Sequence, residues 1–502
     1  MYGHADHNLT PSLVTDMAEM ARARLDDRTT VIVMADWDAT RTRKGGGNFP
    51  SGTEWYRVVG GGMEAERLGD VEPEQNLDDP AVLRASIRRA LEEHPADRYG
   101  LVLWDHGGGW DGGFGGEHQN GTVEHPEALR ISQVRDAVRG ALDDVGLDRD
   151  RPLAFLAFDT CLLGAAEVSH ALADLSEIYI ANAEIDYGDG WDYEAMLTHI
   201  AANRDVDARE LGAHEARVWD AHHRSAGASD RLLRSHIVLD TARIAAVDEA
   251  IGSLADALLA ADRWLDLAIV TSRSMPPYGG GVDRAHREVQ YRDIGLVARR
   301  LSRNEDATIA GAAERVLRAL ADARVGGSQG TMRESTDQLG LSIALPLPLD
   351  ITTERLASYR DRAAGFARTR WDDVLQELGA AADEVAPAPV LTATDAGDGV
   401  DVSVRVDDED IVRIEVHVAV DDPDRPDNDI RYGVIGAAVA EPGVTYALRW
   451  DRAVATLDGT NPVPLEQWVD GGARRTRTRC RRSCRWVGTS SRRARIRCPV
   501  SS

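Results

Sequence analysis

Cys161 stands apart in this chain of 502 residues. The other three of its four cysteines, Cys480, Cys484 and Cys498, lie in an arginine-rich C-terminal stretch, whereas Cys161 ends the run LAFLAFDTC. That run has strand character, and a helical pattern over 162–175 follows it. The thiol is therefore expected at a helix N-terminus, where the dipole favours thiolate. A second run, YGLVLW, leads into DHGGGW and places His106 at the end of another strand. Sites in open parallel sheets form beyond the carboxyl ends of strands, so the two side chains can meet as nucleophile and base. Gly107, Gly108 and Gly109, with Cys161 itself, offer backbone N–H groups for an oxyanion. Each residue alone has a plainer reading. A lone cysteine is commonly a small buried hydrophobe, and His106 is one of 14 histidines. Placement of both at strand ends favours acyl-transfer chemistry.

Other motifs carry less. Gly107, Gly109 and Gly112 satisfy G-x-G-x-x-G after a strand, but the sequence continues as loop, without the helix N-terminus that a pyrophosphate needs. His214, His222 and His223 lack metalloprotease spacing and fit an exposed helix face. The acidic stretch 421–430 could ligate calcium through alternate carboxylates, although a solvated turn is the simpler reading.

The elements that must position Cys161 and His106 follow from short apolar runs at 30–35, 99–104, 153–158, 178–182, 236–239 and 339–345. Helical patterns at 80–93, 132–143, 162–175, 208–222 and 243–261 separate them. Runs that are apolar without alternation imply a mostly parallel sheet covered by helices on both faces, an α/β fold. After a Pro/Ala linker, GVDVSVRV and VRIEVHVAV alternate with period two, as expected of a small antiparallel β-sandwich. The expected organisation is an α/β domain over 1–385, a β-domain over 386–470, and an anomalous tail over 471–502. That tail has eleven arginines and no acidic residue, and it reads as a product of a frameshift.

Composition limits the partners. Asp and Glu number 84 against 58 Lys and Arg, a formal net charge of −26. Such a balance repels phosphates, so nucleic acid is excluded as a main partner. No apolar run approaches the length of a membrane span. Lys44 is the sole lysine, and an Arg- and Asp-rich chain of this kind suits molar salt, where self-repulsion is screened. No signal peptide is visible, so the compartment is left open; a cell-surface or extracellular location would follow if a leader lies upstream.

The motifs LVLWDHGGGW, LAFLAFDTCLLGAAEVSHAL and YGDGWDY, with YRDIGLVARRL and LGLSIALP further on, resemble the clostripain-like cysteine peptidases of the caspase-like clan. The resemblance covers roughly residues 2–385. It implies a caspase-like fold, His106 as catalytic base and Cys161 as nucleophile. It also implies cleavage of protein or peptide substrates after Arg or Lys, with Asp159 and Asp189 as acidic residues of the P1 pocket. No cofactor is needed for that chemistry, while calcium is a ligand to which family members often respond. The family's first strand is expected to be missing here, MYGHADHNL starting at its far end. For Asp159 a cap of the following helix is the competing role. A rival function is a non-catalytic adhesion protein with a relic peptidase domain, and a weaker one is another acyl-transfer enzyme such as an amidase.

Overall fold

The computed structural model describes residues 1–38, 52–61, 65–116, 128–147, 153–186, 190–224, 233–261, 278, 291–331, 338–346 and 350–381, together with strands between 390 and 498. The chain divides into two compact units, residues 1–263 with 275–377, and residues 264–274 with 378–502.

The first unit is built on a nine-stranded sheet. In chain order the strands are β1 (Tyr2–Ala5), β2 (Val31–Trp37), β3 (Gly52–Val58), β4 (Glu66–Glu72), β5 (Gly100–Trp104), β6 (Leu153–Asp159), β7 (Ser176–Asn182), β8 (Ser235–Asp240), β9 (Tyr291–Asp293), β10 (Arg324–Gln329) and β11 (Ser342–Ala344). The sheet order is β10-β8-β7-β6-β5-β1-β2-β3-β4. Its interior ladders, from β7 through β6, β5 and β1 to β2, are parallel. Antiparallel strands β8 and β10 close one side, and β3 and β4 the other. The parallel strands are apolar on both faces because both faces are covered. Ala157 and Val33 belong to a core cluster with Leu13, Met17, Met196 and Trp219 of three helices. Leu103, Leu156 and Phe158 are as fully buried without joining that cluster. The outer strand β4, ERLGDVE, is largely exposed and charged, which protects an open edge from pairing with another chain.

Several expectations change. Residues 2–5 do form a strand, so the interior position between β2 and β5 is filled, by four residues against the seven of β2. The segment 339–345 contributes only β11, which pairs with β9 outside the central sheet. Strands β3, β4 and β10 (GTEWYRV, ERLGDVE, RVGGSQ) give no continuous apolar run, because they lie at or near the sheet edges. The helix expected from residue 162 begins at Ala166.

In the second unit, Val390–Asp395, Val400–Arg405 and Thr445–Trp450 form an antiparallel three-stranded sheet. Val400, Val402 and Val404 are buried while Asp401 and Arg405 are exposed, the alternation that the sequence carries. Arg413–Val420 pairs antiparallel with Ile430–Val439. The acidic turn between these two strands lies outside the described residues. Of the tail, Arg485–Trp486 and Arg495–Cys498 are described, as short strands.

Candidate active site

Strands β5 and β6 are parallel neighbours in register, Trp104 beside Asp159, so the residues that follow them emerge side by side. After Asp159 the chain turns sharply through Thr160, Cys161 and Leu162. Leu162 has φ +60°, a left-handed conformation that a branched side chain rarely adopts and that costs on the order of 1–3 kcal/mol. The surroundings enforce it. Leu162 N–H donates to Glu184 O at 3.1 Å, Gly164 N–H to Asn182 O at 2.7 Å, and the Leu162 side chain is buried. The turn presents Cys161, half-buried, five residues ahead of the helix Ala166–Leu172, whose N-cap is Ala165. Cys161 is therefore not at a helix N-terminus, and Asp159 caps no helix. The thiol accepts a hydrogen bond from Asp186 N–H at 3.4 Å. Burial pushes it up to about 12; that N–H opposes the shift, and the nearby Asp186, Asp159 and Asp105 carboxylates add to it. These surroundings favour the thiol, contrary to the thiolate that a helix dipole would favour.

The His106 side is built differently. Asp105, buried, receives His7 Nε2 at 2.7 Å on one oxygen and His4 Nδ1 on the other. Leu9 N–H donates to His7 Nδ1 at 3.1 Å, so the proton of His7 sits on Nε2 and points to Asp105 and to His4 O at 2.8 Å. Burial pushes the Asp105 carboxyl up, but His4 and His7 more than reverse this and hold it well below the usual carboxylate range. The ligand atoms of His4, His7 and Asp105 lie within 4.8 Å of one another, a set that could hold a metal ion. Asp105 lies at hydrogen-bond distance from each histidine and Leu9 N–H occupies the second nitrogen of His7, so the cluster fits a proton-bridged network better than a coordination shell. Next in the chain, His106 Nε2 lies 3.0 Å from Asn8 Oδ1, and its ring centroid 4.7 Å from that of His7.

Gly107 brings the two strand ends into contact. A Cβ there would collide with Cys161 O and come within 2.9 Å of Thr160 Oγ1, so only glycine fits. Gly108 N–H donates to Gly113 O at 2.9 Å, and Tyr291 Oη donates to Gly108 O at 3.1 Å. Gly108 is thereby withdrawn from the expected oxyanion donors, and the N–H groups of Gly107, Gly109 and Cys161 remain.

His106, Gly107, Asp159, Thr160, Cys161 and Asp186 all line one cavity of about 1160 Å³. Asp159 lies at its buried side. Tyr193 Oη donates to Asp159 Oδ2 at 2.6 Å, and a Cβ on Gly190 would sit 3.4 Å from both carboxylate oxygens. Burial raises the Asp159 carboxyl above its ordinary value, with hydrogen bonds from Asp186 and Tyr193 acting against it. Asp189 lies outside the described residues. Among the described residues a second carboxyl beside Asp159 is that of Asp186, three positions before Asp189 in EIDYGDG, and the sequence pattern alone did not single it out. Asn8, His4, His7 and Tyr193 were missed too. HADHNL is dense in polar side chains, of which His4, Asp6 and His7 are buried, and that density is the signal that could have drawn attention to it.

The family model of the clostripain family, the C11 peptidases, matches residues 1–377. The chain belongs to the clostripain family. A curated relative, clostripain of Hathewaya histolytica, is 25% identical over 247 residues, 43% of this chain and 44% of that protein, so the chain spans less than half of the relative's length. Among solved structures, a secreted C11 cysteine protease from Bacteroides thetaiotaomicron in complex with an irreversible peptide inhibitor superposes with a TM-score of 0.53 at 18% identity, over 74% of this chain and 97% of that one. An inactive zymogen C11 protease from Parabacteroides distasonis gives 0.51 at 17% identity, over 72% and 94%. These likenesses show a shared fold, mixed α/β with a large central sheet flanked by helices.

Proposed function

We propose that the protein is a cysteine endopeptidase that cleaves after Arg or Lys through Cys161 and His106. The observation that carries this reading is that both side chains open onto one cavity whose buried side holds the carboxyls of Asp159 and Asp186. His106 removes the thiol proton as Sγ attacks the scissile carbonyl, and the N–H groups of Gly107 and Cys161 bind the oxyanion. The imidazolium then returns its proton to the leaving amine. Water, deprotonated by the same imidazole, splits the acyl-enzyme and restores the thiol.

The resting thiol has a use in this scheme. Two of the groups that hold the proton on Cys161 are the carboxylates of Asp159 and Asp186. A guanidinium docked between them would neutralise their charge and ease thiol ionisation, so a cationic P1 side chain both binds and activates. Bidentate geometry favours Arg over Lys. Asp189, placed by sequence in the same Gly-rich loop, is taken as a further pocket carboxylate, and any response to calcium is assigned to the acidic stretch 421–430. For the second unit we take the β-sandwich arrangement, and for the solvent concentrated salt, in keeping with the acidic, lysine-poor composition.

The test is an assay of Arg, Lys, Asp and Leu P1 peptides at high salt with the wild type and Asp159→Asn. The expected result is a fall of about 100-fold in kcat/KM for Arg peptides in Asp159→Asn, with residual cleavage after Leu unchanged. Equal turnover of Leu and Arg peptides by the wild type would overturn the specificity, and no cleavage of any peptide would overturn the activity.

A further inference from the structure

Behind the nucleophile turn lies a buried polar group that the chemistry above does not use. His236 on β8 is fully buried and is the register partner of Asn182 at the end of β7. Its Nδ1 lies 2.6 Å from Asn182 Oδ1 and its Nε2 2.9 Å from Glu215 Oε2. The orientation of the Asn182 amide is fixed from its other end, where Nδ2 donates to Thr160 O at 3.3 Å. Oδ1 therefore faces His236 as an acceptor, and the Glu215 carboxylate is an acceptor as well. An imidazole between two acceptors satisfies both only when both nitrogens carry protons. The ring lies flat against Trp219, with centroids 4.5 Å apart and planes 10° apart, and meets the edge of Trp191 at 5.9 Å and 87°. An aromatic face is a favourable place for a cation.

The chain of contacts ends at the reacting residues. Thr160 O belongs to the peptide linking Thr160 to Cys161, one residue after Asp159. Trp191, which packs on His236, also stacks on Tyr193, whose hydroxyl holds Asp159. A buried ion pair contributes little net stability, because desolvating both charges offsets their attraction, but it fixes geometry.

We propose that His236, as an imidazolium paired with Glu215, is a positioning residue for the nucleophile: through Asn182 it locks the Thr160 carbonyl and with it the strained turn that presents Cys161. This deepens the peptidase reading and rests on it for the reaction, but not for the state of the ring. Asn182→Asp separates the proposed role from general stability. It keeps an acceptor for His236 but sets an oxygen against Thr160 O, releasing the turn.

Three measurements on the full chain decide the matter. The first is NMR of histidine-¹⁵N-labelled wild type, where His236 is expected to show both ring nitrogens protonated at neutral pH. The second is the rate of Cys161 alkylation by iodoacetamide in folded Asn182→Asp, expected to change by about tenfold or more. The third is kcat, normalised by active-site titration, expected to fall by roughly 10- to 100-fold for Arg and Leu P1 peptides alike, with KM within about twofold. A singly protonated His236, or a folded Asn182→Asp with unchanged alkylation and kcat, would overturn the proposal. If Asn182→Asp does not fold, the wild-type ring state alone supports or sinks it. If the wild type cleaves nothing, the peptidase reading falls, while ring state and alkylation still decide whether His236 positions the thiol.

Discussion

The ends of β5 and β6 lie side by side in one sheet yet hold their residues in opposite ways. Beyond β6, Cys161 sits on a turn locked by Glu184, Asn182 and the buried side chain of Leu162. Beyond β5, Asp105 is fixed by two histidines, but the next residue, His106, is held through Asn8, which is exposed. A nucleophile must meet a carbonyl along a narrow trajectory, so rigidity belongs there. In the proposed mechanism the base moves a proton first to the leaving group and then from water, and it gains from limited freedom. The difference divides the site into a fixed half and an adjustable half.

Four experiments probe that division, in falling order of effect. His106→Ala should lower kcat/KM by on the order of 10³-fold, the range for removing a general base. If activity survives within about tenfold, the adjustable half contains no base. Asn8→Ala removes one hydrogen bond to a ring that becomes charged, worth about 1.5–3 kcal/mol, so kcat should fall about tenfold or more. Asn8→Asp, which keeps an acceptor oxygen, should restore part of the rate and move the acid limb of the pH profile upward. An unchanged profile in both variants would show that His106 is oriented by something else.

Methylguanidine, small enough to enter the P1 pocket beside the thiol, should accelerate iodoacetamide alkylation of Cys161 a few-fold below pH 9. The carboxylates of Asp159 and Asp186 would then oppose ionisation less. Loss of this acceleration in Asp159→Asn is the accompanying expectation, and inhibition in place of acceleration would refute substrate-assisted activation.

The smallest effect concerns Glu167, in the helix that follows the nucleophile turn. It is buried, accepts Ala344 N–H at 2.9 Å and Tyr359 Oη at 3.1 Å, and burial raises its carboxyl from 4.5 to about 7. A carboxyl raised in the folded state stabilises most below its unfolded value, and that contribution is lost as pH rises through the folded value. The wild type should therefore lose stability between about pH 4.5 and 7, and Glu167→Gln should flatten the dependence of Tm on pH over that window. Parallel pH curves for the two proteins would exclude Glu167 as the source.

The two halves of the site were unequally legible in the sequence. The apolar runs ending in DTC and DHGGGW located both strands, their parallel pairing and the shared cavity, because an apolar strand buried on both faces leaves a continuous signature. The turn itself was misjudged. Helical periodicity after Cys161 predicts a helix from residue 162, whereas Leu162 in a left-handed conformation delays it to Ala166. No propensity scale signals a leucine held at positive φ by tertiary contacts. The supporting residues were illegible for another reason. His4, His7, Asn8, Asn182 and His236 come from three distant parts of the chain, and the acceptors that give them meaning are spatial neighbours only. Asp186 went unnoticed because it lacks the Gly-rich surroundings that draw attention to Asp189, whose own place lies outside the described residues.

The position of β1 has a consequence for how the molecule comes into being. Tyr2–Ala5 and the next few residues carry His4, His7 and Asn8, and they are synthesised well before the residues they contact around Asp105. Their partners in and just after β5 follow only after about a hundred residues, at roughly 5–20 residues per second. Throughout that interval the segment has at most β2 beside it, and no Asp105 to pair its histidines. Closure of the sheet around β1 is thus an event that joins residues about a hundred positions apart in the chain, and long-range parallel pairing of this kind is slow. The nascent chain carries neither half of its chemistry until that closure. In a refolding experiment the amides of Tyr2–Ala5 should gain protection from hydrogen exchange at the same time as reactivity appears at Cys161, so that assembly of the sheet and arming of the site are one step.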